Sequence, residues 1–118
     1  TEKMGKTGAL ILLLMASGAV ADCMTETSGV SICGRGPCAS DIQGQVFCAT
    51  HRYGTAIRDN RGKVVCGVGQ CQKDINGNIS CSIEPGGAVT RNNRGKVECF
   101  GGCQPADNQF CERIMATP

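Results

Sequence analysis

From residue 38 onward the chain alternates short apolar runs with turn residues. Val46 and Cys48, Val64 and Cys66, Ile79 and Cys81, and Val97 and Cys99 each set two apolar side chains two positions apart. That is the period of a strand with one face buried. Just before each pair stands Asp or Asn followed three residues later by Gly: Asp41–Gly44, Asp59–Gly62, Asp74–Gly77 and Asn92–Gly95. A run, a turn signal and a second run predict a β-hairpin. Six hairpins are expected, near residues 23–33, 38–48, 56–66, 71–81, 89–99 and 103–111. Outside the N-terminal apolar segment nothing reads as a helix, apart from a turn near Glu112–Met115.

The pattern is also copied along the chain. Cys33, Cys66 and Cys99 are 33 residues apart, as are Cys38 and Cys71, and Cys48 and Cys81. Arg58-Asp59-Asn60-Arg61-Gly62-Lys63-Val64-Val65-Cys66 recurs as Arg91-Asn92-Asn93-Arg94-Gly95-Lys96-Val97-Glu98-Cys99. The predicted fold is therefore all-β: a tandem array of short, disulfide-stapled antiparallel hairpins, two per 33-residue repeat, following an N-terminal signal helix. A compact barrel of the same hairpins is the alternative.

Cysteine positions fix the turn length. A two-residue turn at Asn76-Gly77 would leave Cys71 opposite Ser82. A three-residue loop, with Gly in the left-handed region, pairs Asp74 with Asn78, Lys73 with Ile79 and Cys71 with Cys81. The same loop sets Cys38 opposite Cys48 and Cys23 opposite Cys33. It also places the cysteines at non-hydrogen-bonded pairs, where Cα atoms approach to about 4.5 Å and a disulfide can form. The expected bonds are Cys23–Cys33, Cys38–Cys48 and Cys71–Cys81, then Cys103–Cys111 by analogy and Cys66–Cys99 as a staple between equivalent hairpins. A rival scheme joins neighbours across linkers: Cys33–Cys38, Cys66–Cys71 and Cys99–Cys103.

Alternation also separates two faces. One carries the cysteines with Val46, Val64, Ile79 and Val97, and is the expected core. The other is apolar around Phe47, Ile57 and Val65 in the first repeat and polar in the second. That patch is either a contact surface or the seat of the N-terminal hairpin.

Composition explains the cysteines. The chain has 118 residues, 17 Gly, three Phe, one Tyr and no Trp. So few large apolar side chains cannot offset the ordering entropy by core packing alone. Ten Cys supply constraint and point to an oxidising compartment, secreted or periplasmic. Residues 1–21 read as a secretory signal, Met4–Ala21 proper: a basic start at Lys6, a Leu-rich run over Ala9–Ala16, and a small-x-small site at Ala19-Val20-Ala21. The apolar run is shorter than the ~20 residues of a membrane span, so none is expected in the mature protein, residues 22–118. Beyond residue 21 ten basic and nine acidic residues remain, which gives no basis for nucleic-acid binding.

Catalytic and metal chemistry find little support. The lone His51 sits in a linker, no Gly-x-Ser-x-Gly elbow exists, and no Cys-x-x-Cys occurs. A structural zinc site needs clustered thiolates, a close pair followed by another. The recurring spacings here are Cys-x4-Cys and Cys-x9-Cys in a chain that reads as secreted, which favours disulfides. Asp41, Asp59 and Asp74 are placed to hold turn backbones. The stretch Asp74–Asn78 lacks the alternating ligands and terminal Glu of a calcium loop. No catalytic residue, cofactor or metal is expected. Asn78-Ile79-Ser80 is a glycosylation sequon, meaningful only in a eukaryotic source. More suggestive are two equivalent cationic tips, Arg61 with Lys63 and Arg94 with Lys96. They could contact an anionic polysaccharide or cell-wall polymer, or simply solubilise the array. The expected function is a secreted or cell-envelope, non-enzymatic structural or binding protein, with self-association through sheet edges a second mode of contact. The alternative is a small disulfide-rich effector, an inhibitor or antimicrobial toxin.

Overall fold

The computed structural model describes residues 22–117, so the expected signal segment lies outside the described residues. The described chain is all-β, made of small antiparallel sheets and crossed by five disulfides. Five hairpins follow one another: β1–β2 (Asp22–Thr25, Ser31–Gly34), β3–β4 (Cys38–Ser40, Val46–Ala49), β5–β6 (Thr55–Arg58, Val64–Gly67), β7–β8 (Cys71–Lys73, Ile79–Ser82) and β9–β10 (Val89–Arg91, Val97–Cys99). Then come β11 (Cys103–Pro105), a 3-10 turn (Asn108–Phe110), β12 (Cys111–Glu112) and β13 (Ile114–Met115).

The tips are built alike. In hairpins two to five the opening Asp or Asn donates its N–H to the carbonyl four residues on, at 2.7–2.8 Å, and its carbonyl accepts the Gly N–H at 3.0–3.1 Å. The opener's Oδ1 accepts two further backbone N–H groups, as Asp74 does from Asn76 at 2.8 Å and Asn78 at 2.9 Å. The loop then closes on Gly in the left-handed region, φ 86° at Gly77, where a Cβ would be strained. Three loop residues set the register, so Lys73 faces Ile79, Gln72 faces Ser80 and Cys71 faces Cys81. Cys23–Cys33, Cys38–Cys48 and Cys71–Cys81 close the hairpin bases with Cα separations of 4.0, 3.9 and 4.0 Å.

Both faces of the interior hairpins are used. Ile32, on the face of the first hairpin opposite its cystine, packs on Val46 and Cys48 of the second. Ala39, Phe47 and Ala49, opposite the second cystine, pack on Ala56, Val64 and Cys66 of the third. The hairpins are thus stacked, the plain face of one on the cysteine face of the next. Such close approach needs a small residue just after each return cysteine. Gly34, Ala49, Gly67 and Ser82 fill that position, and all four are buried. A Cβ on Gly34 would lie 2.2 Å from Cys48 Cβ, and one on Gly67 would lie 2.4 Å from Cys81 Sγ. After the fifth return cysteine the residue is Phe100, 68% exposed, and stacking stops there.

The expected sixth hairpin does not form. Residues 103–116 run back along the stack as a strap. β11 pairs with β8, Asp107 bridges to Cys66, β12 pairs with β4, and β13 pairs with β2. The region near Glu112–Met115, read as a turn, is extended. Two expected disulfides are corrected by the same finding: in place of Cys103–Cys111 and Cys66–Cys99 the structure joins Cys66 to Cys111 and Cys99 to Cys103. With a strap passing the third hairpin, Cys66 meets a strap residue instead of its repeat mate. Of the linker-spanning alternatives only Cys99–Cys103 is present; Cys33 and Cys38 lie in separate hairpin cystines.

A polar clamp fastens the strap to the first two hairpins. Glu26 opens the first tip where the others have Asp or Asn, and its longer side chain reaches out of its own turn. Its carboxylate accepts the Val46 N–H at 2.8 Å and pairs with the Arg113 guanidinium, which also donates to the Val46 carbonyl at 2.9 Å. The Val46 N–H, then Arg113, hold the Glu26 carboxyl below its ordinary range. Arg113 also lies over the Phe47 ring, 5.3 Å from its centroid.

Candidate binding groove

Tips two and three meet through backbone. Ile42 donates its N–H to the Gly62 carbonyl at 3.0 Å, and its side chain lies over Gly62. Thirty-three residues on, Ile75 repeats both contacts with Gly95, at 2.9 Å. Arg58 is consumed in the same joint, donating to the Ser40 carbonyl through Nε at 3.0 Å and Nη2 at 2.9 Å. Arg91 likewise donates to the Lys73 carbonyl at 3.2 Å.

Where the strap crosses these tips it leaves a groove of about 800 Å3, a volume in the range of ligand clefts. Its floor is Phe47, Val64 and Val65, and the strap contributes Ala106, Asp107 and Asn108. Gln43, Gln45, Arg61 and Lys63 complete the polar walls. A second hollow of about 260 Å3 shares Asp59, Arg61, Val65 and Ala106 with the first and extends it to Asn76 and Asn78 on the fourth hairpin. The two hollows adjoin at these shared residues and together border three hairpin tips.

The polar groups around these hollows differ in how far they are committed. Asp41 and Asp59 hold their own turns through Oδ1, and Asp107 accepts the Gln109 N–H at 3.2 Å. Asn60 accepts from Lys73 Nζ at 3.0 Å. By contrast, the side chains of Gln43, Gln45, Arg61, Lys63 and Asn108 make no hydrogen bond or ion pair with other described residues. Five polar side chains with no partner among the described residues thus surround the apolar floor.

The four cations expected to act as a set are split. Arg61 and Lys63 line the groove. Arg94 and Lys96 occupy equivalent tip positions but are exposed and line neither hollow. The strap begins only after the fifth hairpin, so it passes the third tip and not the fifth. Of the apolar patch of the first repeat, Phe47 packs with Phe110 and Cys111 of the strap against Ala49, Val64 and Cys66, while Phe47 and Val65 also line the groove. The N-terminal hairpin packs on the other face, through Ile32 on Val46 and Cys48. Gln43, Gln45 and Asn108 were not singled out by sequence. Gln43 is a variable position of an Asp-x-x-Gly tip, Gln45 is the residue just after its Gly, and Asn108 lies in a segment that reads as a hairpin.

Elsewhere chemistry is sparse. His51 is exposed, its Nδ1 3.1 Å from Thr50 Oγ1. The ten cysteines are all in disulfides. Among the described residues no three His, Cys, Asp or Glu side chains gather as a metal site, and no helix is long and apolar enough to cross a membrane. No protein-family model, curated protein or solved structure matches the chain.

Proposed function

We propose that the protein is a non-enzymatic binding protein of an oxidising compartment, secreted or held in a cell envelope, that engages an anionic polymer. In this reading it is a tandem array of cystine-braced hairpins, two per 33-residue repeat, whose rigidity presents tips at fixed positions. Five disulfides support the compartment. The groove carries the functional reading: Arg61 and Lys63 stand at its wall with no carboxylate paired to them among the described residues.

Retention on an immobilised acidic polysaccharide tests it. The protein should be retained at low salt and released as ionic strength rises, because exposed charges are screened beyond about 8 Å at physiological salt. Arg61→Gln with Lys63→Gln should elute earlier than Arg94→Gln with Lys96→Gln. Unchanged retention of the variant carrying all four substitutions would remove the reading.

A further inference from the structure

We infer that the groove takes a hydroxyl-rich, sparsely charged chain: an acidic glycan with occasional carboxylates, lying across the tips of the second, third and fourth hairpins. The inference rests on the binding function proposed above and narrows its ligand.

Charge is the first argument. The larger hollow holds three carboxylates, Asp41, Asp59 and Asp107, against two cations, Arg61 and Lys63. A dense polyanion such as polyphosphate or a heavily sulfated chain would meet those carboxylates at every step. A chain with widely spaced carboxylates can seat one at Arg61 and Lys63 and leave the rest of the groove to neutral groups.

Hydrogen-bonding capacity is the second. Carboxylates only accept, whereas amides both donate and accept. Gln43, Gln45, Asn76, Asn78 and Asn108 together with the three Asp therefore match a ligand rich in hydroxyls, each of which donates and accepts. The floor completes the match. Phe47 and Val65 are half-buried and offer an apolar strip to the C–H faces of sugar rings. Length is the third argument: a second hollow adjoins the first at Asp59 and Arg61 and is lined by Asn76 and Asn78, so an extended ligand spanning both reaches more partners than a single ring.

Isothermal titration with four probes tests the inference: a hexasaccharide with a carboxylate on every second sugar, the same hexasaccharide with its carboxyls reduced to alcohols, a heparin hexasaccharide, and inorganic polyphosphate. The first should bind tightest. The carboxyl-reduced probe should bind about tenfold more weakly, the scale of one charge-assisted hydrogen bond. Gln45→Ala and Asn108→Ala, both at exposed side chains, should each weaken the first probe by about three- to tenfold. They should leave the thermal midpoint unchanged. Arg61→Gln with Lys63→Gln should bring the first probe down to the affinity of the reduced one. If heparin or polyphosphate binds tightest and depends on Arg61 and Lys63, the inference of a sparsely charged, hydroxyl-rich glycan fails and the anionic-polymer reading stands. If none of the four probes binds, both fail.

Discussion

Removing the Cys66–Cys111 bond tests the strap more directly than any other change. The bond closes a separation of 45 residues, against 10 for each hairpin-base cystine and 4 for Cys99–Cys103. Loop-closure entropy at that length corresponds to about 4 kcal/mol. The bridges Cys71–Cys81 and Cys99–Cys103 lie inside the loop and shorten its free path to roughly 33 residues, which lowers the figure by only ~0.3 kcal/mol, because the dependence is logarithmic. Cys66 is fully buried beside Ala49 and Val64, so alanine is the right replacement: serine would bury an unpaired hydroxyl. The double variant Cys66→Ala/Cys111→Ala should therefore lose about 4 kcal/mol. With a urea slope of about 1.5 kcal/mol/M, the unfolding midpoint should fall by about 2.5 M. Cys99→Ala/Cys103→Ala should lose about 2 kcal/mol. Hydrogen exchange in the first variant should speed up at Thr50, whose N–H is held by Phe110, and at Ala116, held by Ser31. Asp74, whose N–H bonds within its own tip, should keep its protection. Equal losses in the two double variants, or unchanged exchange at Thr50 and Ala116, would refute a strap latched at Cys66.

Two further tests address packing and charge. Gly67 and Phe100 occupy the same place after a return cysteine, one inside the stack and one at its end. Gly67→Ala, whose Cβ would lie 2.4 Å from Cys81 Sγ, should cost about 1–3 kcal/mol in thermal unfolding, and Phe100→Ala within about 0.5 kcal/mol; similar costs would contradict stacking. The Glu26 carboxyl is held below its ordinary range, so its contribution is present above the unfolded value of about 4.3 and is lost as pH falls through the lowered folded value. Urea midpoints of the protein and of Glu26→Gln should differ at pH 6, and the gap should narrow progressively as pH falls below about 4.3. A gap independent of pH would mean that the Glu26 charge does not hold the clamp.

The groove was half legible in the sequence. Arg61 and Lys63 stand out because the tip motif recurs, but recurrence also nominates Arg94 and Lys96, and nothing local distinguishes the pairs. The difference lies in Ala106–Asn108, which cross one tip and not the other. A stacking signal was present in the sequence, in the small residues after Cys33, Cys48, Cys66 and Cys81 and the bulky one after Cys99. Read that way, it marks the fifth hairpin as the last.

By itself the sequence determined what is local: hairpin tips closed by Asp or Asn and Gly, a register that brings Cys71 to Cys81 across a three-residue loop, and an all-β chain held by cystines in place of a large core. These follow from contacts within about ten residues, where turn geometry leaves one solution. Tertiary structure decided the rest. Once the hairpins stack, the free edges of their return strands offer unpaired N–H and C=O groups, and the C-terminal segment satisfies them by running back along the stack. That path selects Cys111 as the partner of Cys66, leaves Cys99 to Cys103, and encloses one cationic tip in a groove. A repeat motif states what each hairpin is, and the returning strap makes equivalent hairpins different.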